Sequence, residues 1–288
     1  MKKIFIIFSL MFCQLVFADI VKSNIGAKNI AYAEDSDGGI SAKDYVQDGL
    51  VALYDGIENV GWGRRNPNAV IWRDLIGGND LSYSATLTPS IGYWDVNGFH
   101  TIASGRYYWQ CIPSETIKTI LQDGLPITIE IVATLTEVPN AGTSSFLHIS
   151  NGAAADGCII GYNSQMVQIG CQDAWASTTG RRNMIIGSNW NFLTKTLHIG
   201  AVLNGYEEYG YMFCKSFDED IDAYLSGIPQ FKLTINLSKM TVGGYAWASI
   251  NNRNMLGVYH CIRVYDRALS GEELSYNHKV DLERFALP

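Results

Sequence analysis

Apolar and polar side chains alternate along much of this chain, and a period of two places every second side chain on one face of an extended strand. Ile127, Ile129, Ile131, Ala133 and Leu135 alternate with Thr128, Glu130, Val132, Thr134 and Thr136. Phe231, Leu233, Ile235 and Leu237 alternate with Lys232, Thr234, Asn236 and Ser238 in the same way. Val258, His260, Ile262 and Val264 alternate with Tyr259, Cys261, Arg263 and Tyr265. The pattern predicts antiparallel strands with one face in a core and the other mostly in water. Shorter candidates run from Leu50 to Tyr54, Val70 to Trp72, Ser144 to Ile149, Cys158 to Tyr162, Met166 to Cys171, Leu197 to Leu203 and Tyr209 to Cys214, with turn residues such as Gly77, Gly78 and Asn79 between several of them. Helices are scarce. One is expected from Ser114 to Leu121, closed by Gly124, and one from Ser270 to Glu283, where Ser270 and Glu273 have the spacing of a capping box. The fold class this predicts is all-β: two antiparallel sheets in a sandwich, with a short C-terminal helix.

The first residues depart from that pattern. Lys2 and Lys3 precede an apolar run from Ile4 to Phe17, and Ala18 follows Val16 in a small-residue arrangement, so residues 1–18 read as a secretory signal peptide. The run is short for a membrane span, and none is expected in the mature chain. Residues 19–48 are mostly polar and small and read as a flexible leader, leaving 49–288 as the folded domain. Over 288 residues the formal charge is −7, and cleavage after Ala18 removes two lysines and no acids, giving −9. A chain this acidic has no general field for nucleic acid. Five cysteines remain after cleavage, none in a C-x-x-C pair. Cys158 and Cys171 would face each other across a four-residue turn from Asn163 to Met166, as a disulfide or as small buried hydrophobes.

Three segments, from Gly49 to Asp55, from Trp72 to Asp80 and from Gly257 to Glu273, resemble the laminin G-like jelly-roll domains of the concanavalin A-like lectin and glucanase superfamily. Gly49, Leu50, Val51, Ala52, Leu53, Tyr54 and Asp55 resemble the opening strand. Trp72, Arg73, Asp74, Leu75, Ile76, Gly77, Gly78, Asn79 and Asp80 are similar to the turn that follows it. Gly257 and the run from Ile262 to Ser270, with Glu273, resemble the closing strand, tight turn and short helix. The likeness spans about Gly49 to Phe285 and implies a jelly roll of secreted bacterial type. It leaves chemistry open, since lectins, glycosidases and adhesion modules share the fold.

Glycoside hydrolysis needs two carboxylates across the scissile bond, which the glucanases of this superfamily present as E-x-D-x-x-E on one strand. No such string occurs here, and Glu130 has only Thr128, Val132 and Thr134 as same-face neighbours. Asp218, Glu219, Asp220 and Asp222 read as a solvated loop. No G-x-S-x-G elbow and no phosphate-binding glycine loop is present. An enzyme is therefore the less favoured reading. Calcium is the one cofactor the resemblance suggests. Asp74, Asn79 and Asp80 offer the hard oxygens it requires, although short acidic side chains also satisfy the amides of their own turn. For sugar stacking, Trp62 beside Arg64, and Trp175, lie in loop-like stretches with hydrogen-bonding neighbours, whereas Trp72 and Trp94 read as core. The expected function is recognition of a glycan or an extracellular protein by end loops. A glycosidase of the same superfamily and an adhesive or spacer protein are the alternatives.

Overall fold

A computed structural model describes residues 40–137, 144–152, 156–163, 166–172, 182–186, 192–204, 210–218, 221–228, 232–245 and 254–285, all within the compact unit Gly39–Pro288. Among these residues two eight-stranded antiparallel sheets form a sandwich. The first sheet runs β14 (Asp222–Ile228), β13 (Gly210–Ser216), β12 (Thr196–Leu203), β7 (Ile127–Glu137), β16 (Leu256–Tyr265), β5 (Phe99–Thr101) and β4 (Gly92–Trp94), with β1 (Leu50–Asp55) also paired to β16. The second runs β11 (Arg182–Ile186), β10 (Met166–Gln172), β9 (Gly157–Asn163), β8 (Ser144–Ser150), β15 (Lys239–Val242), β6 (Trp109–Cys111), β3 (Leu81–Tyr83) and β2 (Ile71–Trp72). Two helices complete it: α1 (Glu115–Asp123), capped by Ser114 and ended by Gly124 at φ 69°, and α2 (Gly271–Phe285). The capping box of α2 forms as its spacing requires, with Ser270 N–H donating to Glu273 Oε2 at 2.8 Å and Glu273 N–H donating to Ser270 Oγ at 3.2 Å.

The inner faces meet in one apolar core that includes Ile129, Ile131, Ile199, Ile262 and Val264 from the first sheet and Phe146, Ile160, Ile169 and Met240 from the second. At one end, Tyr54, Trp72, Trp94, Phe99 and Trp109 pack largely edge to face, with Trp72 and Trp94 centroids 5.2 Å apart. Trp72 and Trp94 are core residues, as their strand setting predicts.

Several expectations change. The outer face of β7 is dry: Thr128, Glu130 and Val132 are fully buried. A second apolar layer covers it, in which Leu274, Val280 and Phe285 of α2 and Ala42 and Tyr45 pack on Leu53, Val132, Val202, Cys261 and Tyr265. The packed chain therefore begins ahead of Gly49, since Ser41 caps a 3-10 turn at Ala42–Asp44 and Tyr45 is buried behind it. The β16 alternation is broken by a bulge at His260, because Tyr259 pairs with Ala133 and Cys261 with Val132. Residues 232–238 are not a strand. Leu233 N–H goes to Leu121 O and Gln122 Nε2 to Ile235 O, so this segment is tied to α1 rather than to a sheet ladder. The β9–β10 register does place Cys158 opposite Cys171, with Cys158 a buried free thiol.

Candidate functional site

The chain leaves the first sheet at the end of β1 and enters the second at β2 through loop 56–70. The exit is tight: a Cβ on Gly56 would lie 2.6 Å from Gly98 Cα, so only glycine fits. Asp55 Oδ1 accepts the amides of Ile57 and Glu58 at 2.9 and 2.8 Å. The buried Glu58 carboxylate accepts Ala42 N–H at 3.0 Å on one oxygen and Gly63 N–H at 2.7 Å on the other. Asn59, also buried, clasps both backbone groups of Asn66, at 2.8 and 2.9 Å. Trp72 Nε1 donates to Asp55 O and Trp94 Nε1 to Ala69 O, each at 2.9 Å, so both ends of the loop are anchored on the aromatic core.

Helix α2 adds a clamp from below. Arg284 Nη2 lies 2.7 Å from Asp55 Oδ2 and its Nη1 3.3 Å from Glu58 Oε1. Burial pushes Asp55 above the usual carboxylate range, which the Arg284 guanidinium and the loop amides only partly offset. Every acid of this loop base points inward. Outward, Arg64 and Arg65 are exposed and make no ion pair with a described residue, while Trp62 is half-buried against the Ala42 and Tyr45 layer. The sequence-predicted pair Trp62 and Arg64 thus share one anchored loop; Trp175 lies outside the described residues. The parts that sequence reasoning missed are Asp55, Glu58, Asn59 and Arg284, the last of them more than 200 residues from the loop along the chain.

Asp74, Asn79 and Asp80 come together, but as a turn. Asp74 Oδ1 accepts Leu53 N–H at 3.0 Å and Ile76 N–H at 3.1 Å, and its Oδ2 accepts Asn79 Nδ2 at 3.2 Å. Asp80 Oδ1 accepts Asp74 N–H at 3.0 Å, its other oxygen pairs with Arg73, and Tyr54 OH donates to Asn79 O at 2.6 Å. Asn79 Oδ1 alone is buried without a partner. With each carboxylate oxygen already engaged, these residues fit the turn better than an ion. Among the described residues no group of three or more His, Cys, Asp or Glu is placed to hold a metal.

Glu130, the acid on the central strand, is wholly buried beneath α2. Its carboxylate meets Arg263 Nε at 3.1 Å, His198 Nε2 at 2.8 Å and Asn277 Nδ2 at 2.7 Å. Arg263 also forks onto Asp281 at 2.7 and 2.8 Å, under the Tyr45 ring at 4.2 Å. Burial would raise Glu130, but Arg263 and His198 hold it down to about 2. A carboxylate so held is a permanent anion with no cleft in front of it, unsuited to acid catalysis.

No family model and no curated protein matches the chain. Solved structures do. Trypanosoma rangeli sialidase in complex with sialic acid is 16% identical with a TM-score of 0.52, over 79% of this chain and 32% of that one. A mutant of Trypanosoma rangeli sialidase displaying trans-sialidase activity gives 15% and 0.53, over 81% and 33%. The chain shares its β-sandwich fold with these proteins. It spans about a third of their length, and at such identity the likeness establishes the fold alone. The Ruminococcus gnavus IT-sialidase CBM40 bound to alpha2,3 sialyllactose is a looser match, 15% identical with a TM-score of 0.43 over 54% of this chain and 83% of that one.

Proposed function

We propose that this is an exported, non-catalytic module that binds a glycan through the surface of loop 56–70. The observation that carries the reading is the contrast within that loop: buried Asp55, Glu58 and Asn59 fix its backbone, and half-buried Trp62 sits beside unpaired Arg64 and Arg65. An aromatic ring with hydrogen-bond donors on a loop anchored at its base suits a sugar ring, because less loop entropy is lost on binding. Export rests on residues 1–18, which lie outside the described residues, and among the described residues no helix is long and apolar enough to cross a membrane. The laminin G-like subtype rests on the closing segment from Gly257 to Glu273. In this reading Asp74, Asn79 and Asp80 serve the turn they build, and calcium held there is the alternative the chelator tests.

A glycan array probed with and without a calcium chelator, paired with digestion assays on the same polysaccharides, tests the reading. Retention of defined glycans without release of reducing ends is expected, unaffected by the chelator. Release of reducing sugar would replace the module with a glycosidase. Silence in both assays would favour the adhesive or spacer role with a protein partner.

A further inference from the structure

Resting on the glycan-binding reading, we propose that this surface selects glycans bearing carboxylate groups, read by Lys43, Arg64 and Arg65. The argument begins with Glu58. Its two carboxylate oxygens hold Ala42 N–H at 3.0 Å and Gly63 N–H at 2.7 Å, so the main-chain segments that carry Lys43 and Arg64 lie one carboxylate apart. All three cationic side chains belong to exposed residues, and none makes an ion pair with a described residue.

The anions nearby are already spent. Glu58 and Asp55 are buried against Arg284, and Asp44 turns back onto Ser41 N–H at 2.6 Å. Loop 56–70 holds one acid and two arginines, and the acid faces in while both arginines face out. The result is a positive spot on a chain of formal charge −7. That setting favours the carboxylates of a glycan, met locally, over a densely charged sulfated polyanion, which the surrounding charge repels. Guanidinium is planar and presents paired donors that match the two oxygens of a carboxylate, which a single ammonium cannot do. The clasp of Asn59 on both backbone groups of Asn66 fixes the residue next to Arg65, so the main chain that carries the forks is anchored before a ligand arrives. Trp62, two residues before Arg64 and half-buried against the Ala42 and Tyr45 layer, adds an aromatic ring to the same anchored loop.

The test titrates the full chain with 3′-sialyllactose, oligogalacturonate, neutral lactose, neutral laminarin and dextran sulfate, at low and high salt. Wild type is compared with the Arg64→Gln/Arg65→Gln double variant, with Lys43→Gln and with Arg64→Lys/Arg65→Lys. At least one of the two carboxylated probes binds; which one separates a terminal acidic sugar from a uronic acid polymer. Binding weakens with salt, falls about tenfold or more in the glutamine double variant and is intermediate in the lysine one, while the unfolding midpoint stays put because both residues are exposed. Binding of neutral probes only, equal or stronger binding of dextran sulfate, or an undiminished glutamine double variant overturns the carboxylate inference and leaves glycan binding standing. Failure of every saccharide to bind overturns both.

Discussion

Two sets of arginines in this protein face opposite ways. Arg263 and Arg284 lie between the first sheet and α2, paired with Glu130, Asp281, Asp55 and Glu58 and covered by the Tyr45 ring. Arg64 and Arg65 lie on the loop that this interior holds in place, exposed and with no ion pair among the described residues. A guanidinium taken out of water demands its partners, whereas one left in water keeps its donors for another molecule. The inner pair therefore belongs to stability and the outer pair to the surface proposed for recognition, and Glu58 joins them by binding Arg284 on one side and Gly63 on the other.

The largest effect expected from breaking this division is at Arg263. Replacement by Met leaves Glu130 and Asp281 buried with unbalanced charge and costs about 3–5 kcal/mol, read as a lower urea midpoint. Tyr45→Ala empties the space over both guanidiniums and costs about 3 kcal/mol, which also tests whether the packed domain extends ahead of Gly49.

Acid should act on the interior and not on the outer arginines. Burial pushes His148 and His260 down to about 4, and burial with neighbouring His198 does the same to His278. A depressed histidine means that the unfolded chain takes up a proton first. Stability is complete above the ordinary histidine range near 6.5 and drains away as pH falls from there toward about 4. For His148 and His260 the loss is on the order of 3 kcal/mol each when fully developed. Glu130, held low, adds a further loss between about 4.5 and about 2, where the unfolded chain again takes the proton first. Urea midpoints across this range check the slope, and His260→Gln should flatten its upper part.

Much of this fold is legible in the sequence. The period-two runs at β1, β7 and most of β16, the two helices with their caps, and the turn that aligns Cys158 with Cys171 follow from local rules. The covered outer face does not, because Glu130 finds Arg263 and Asn277 more than 130 residues away and a sequence window sees only an isolated acid. Strands β2 to β6, two or three residues each, are too short to show a period. Strand β14 begins in the acidic stretch read as loop, and the Phe231 run mimics a strand while giving its hydrogen bonds to α1. Trp62 and Arg64 could be found from turn residues around an aromatic, but the clamp that makes their loop rigid could not.

A smaller effect sharpens the comparison at the Asp74 turn. Asp74→Asn weakens the acceptor for Leu53 and Ile76 amides and costs about 2 kcal/mol. Millimolar calcium leaves the wild-type thermal midpoint unmoved if the turn alone uses these oxygens, and a rise with calcium would restore the ion.

The smallest stability change, under about 0.5 kcal/mol, is expected at the outer arginines. Measuring the urea midpoint and the retention on immobilised carboxylated glycan for one preparation of Arg64→Gln/Arg65→Gln tests the division most directly. The account predicts an unchanged midpoint and lost retention; a lowered midpoint with retention intact would contradict it.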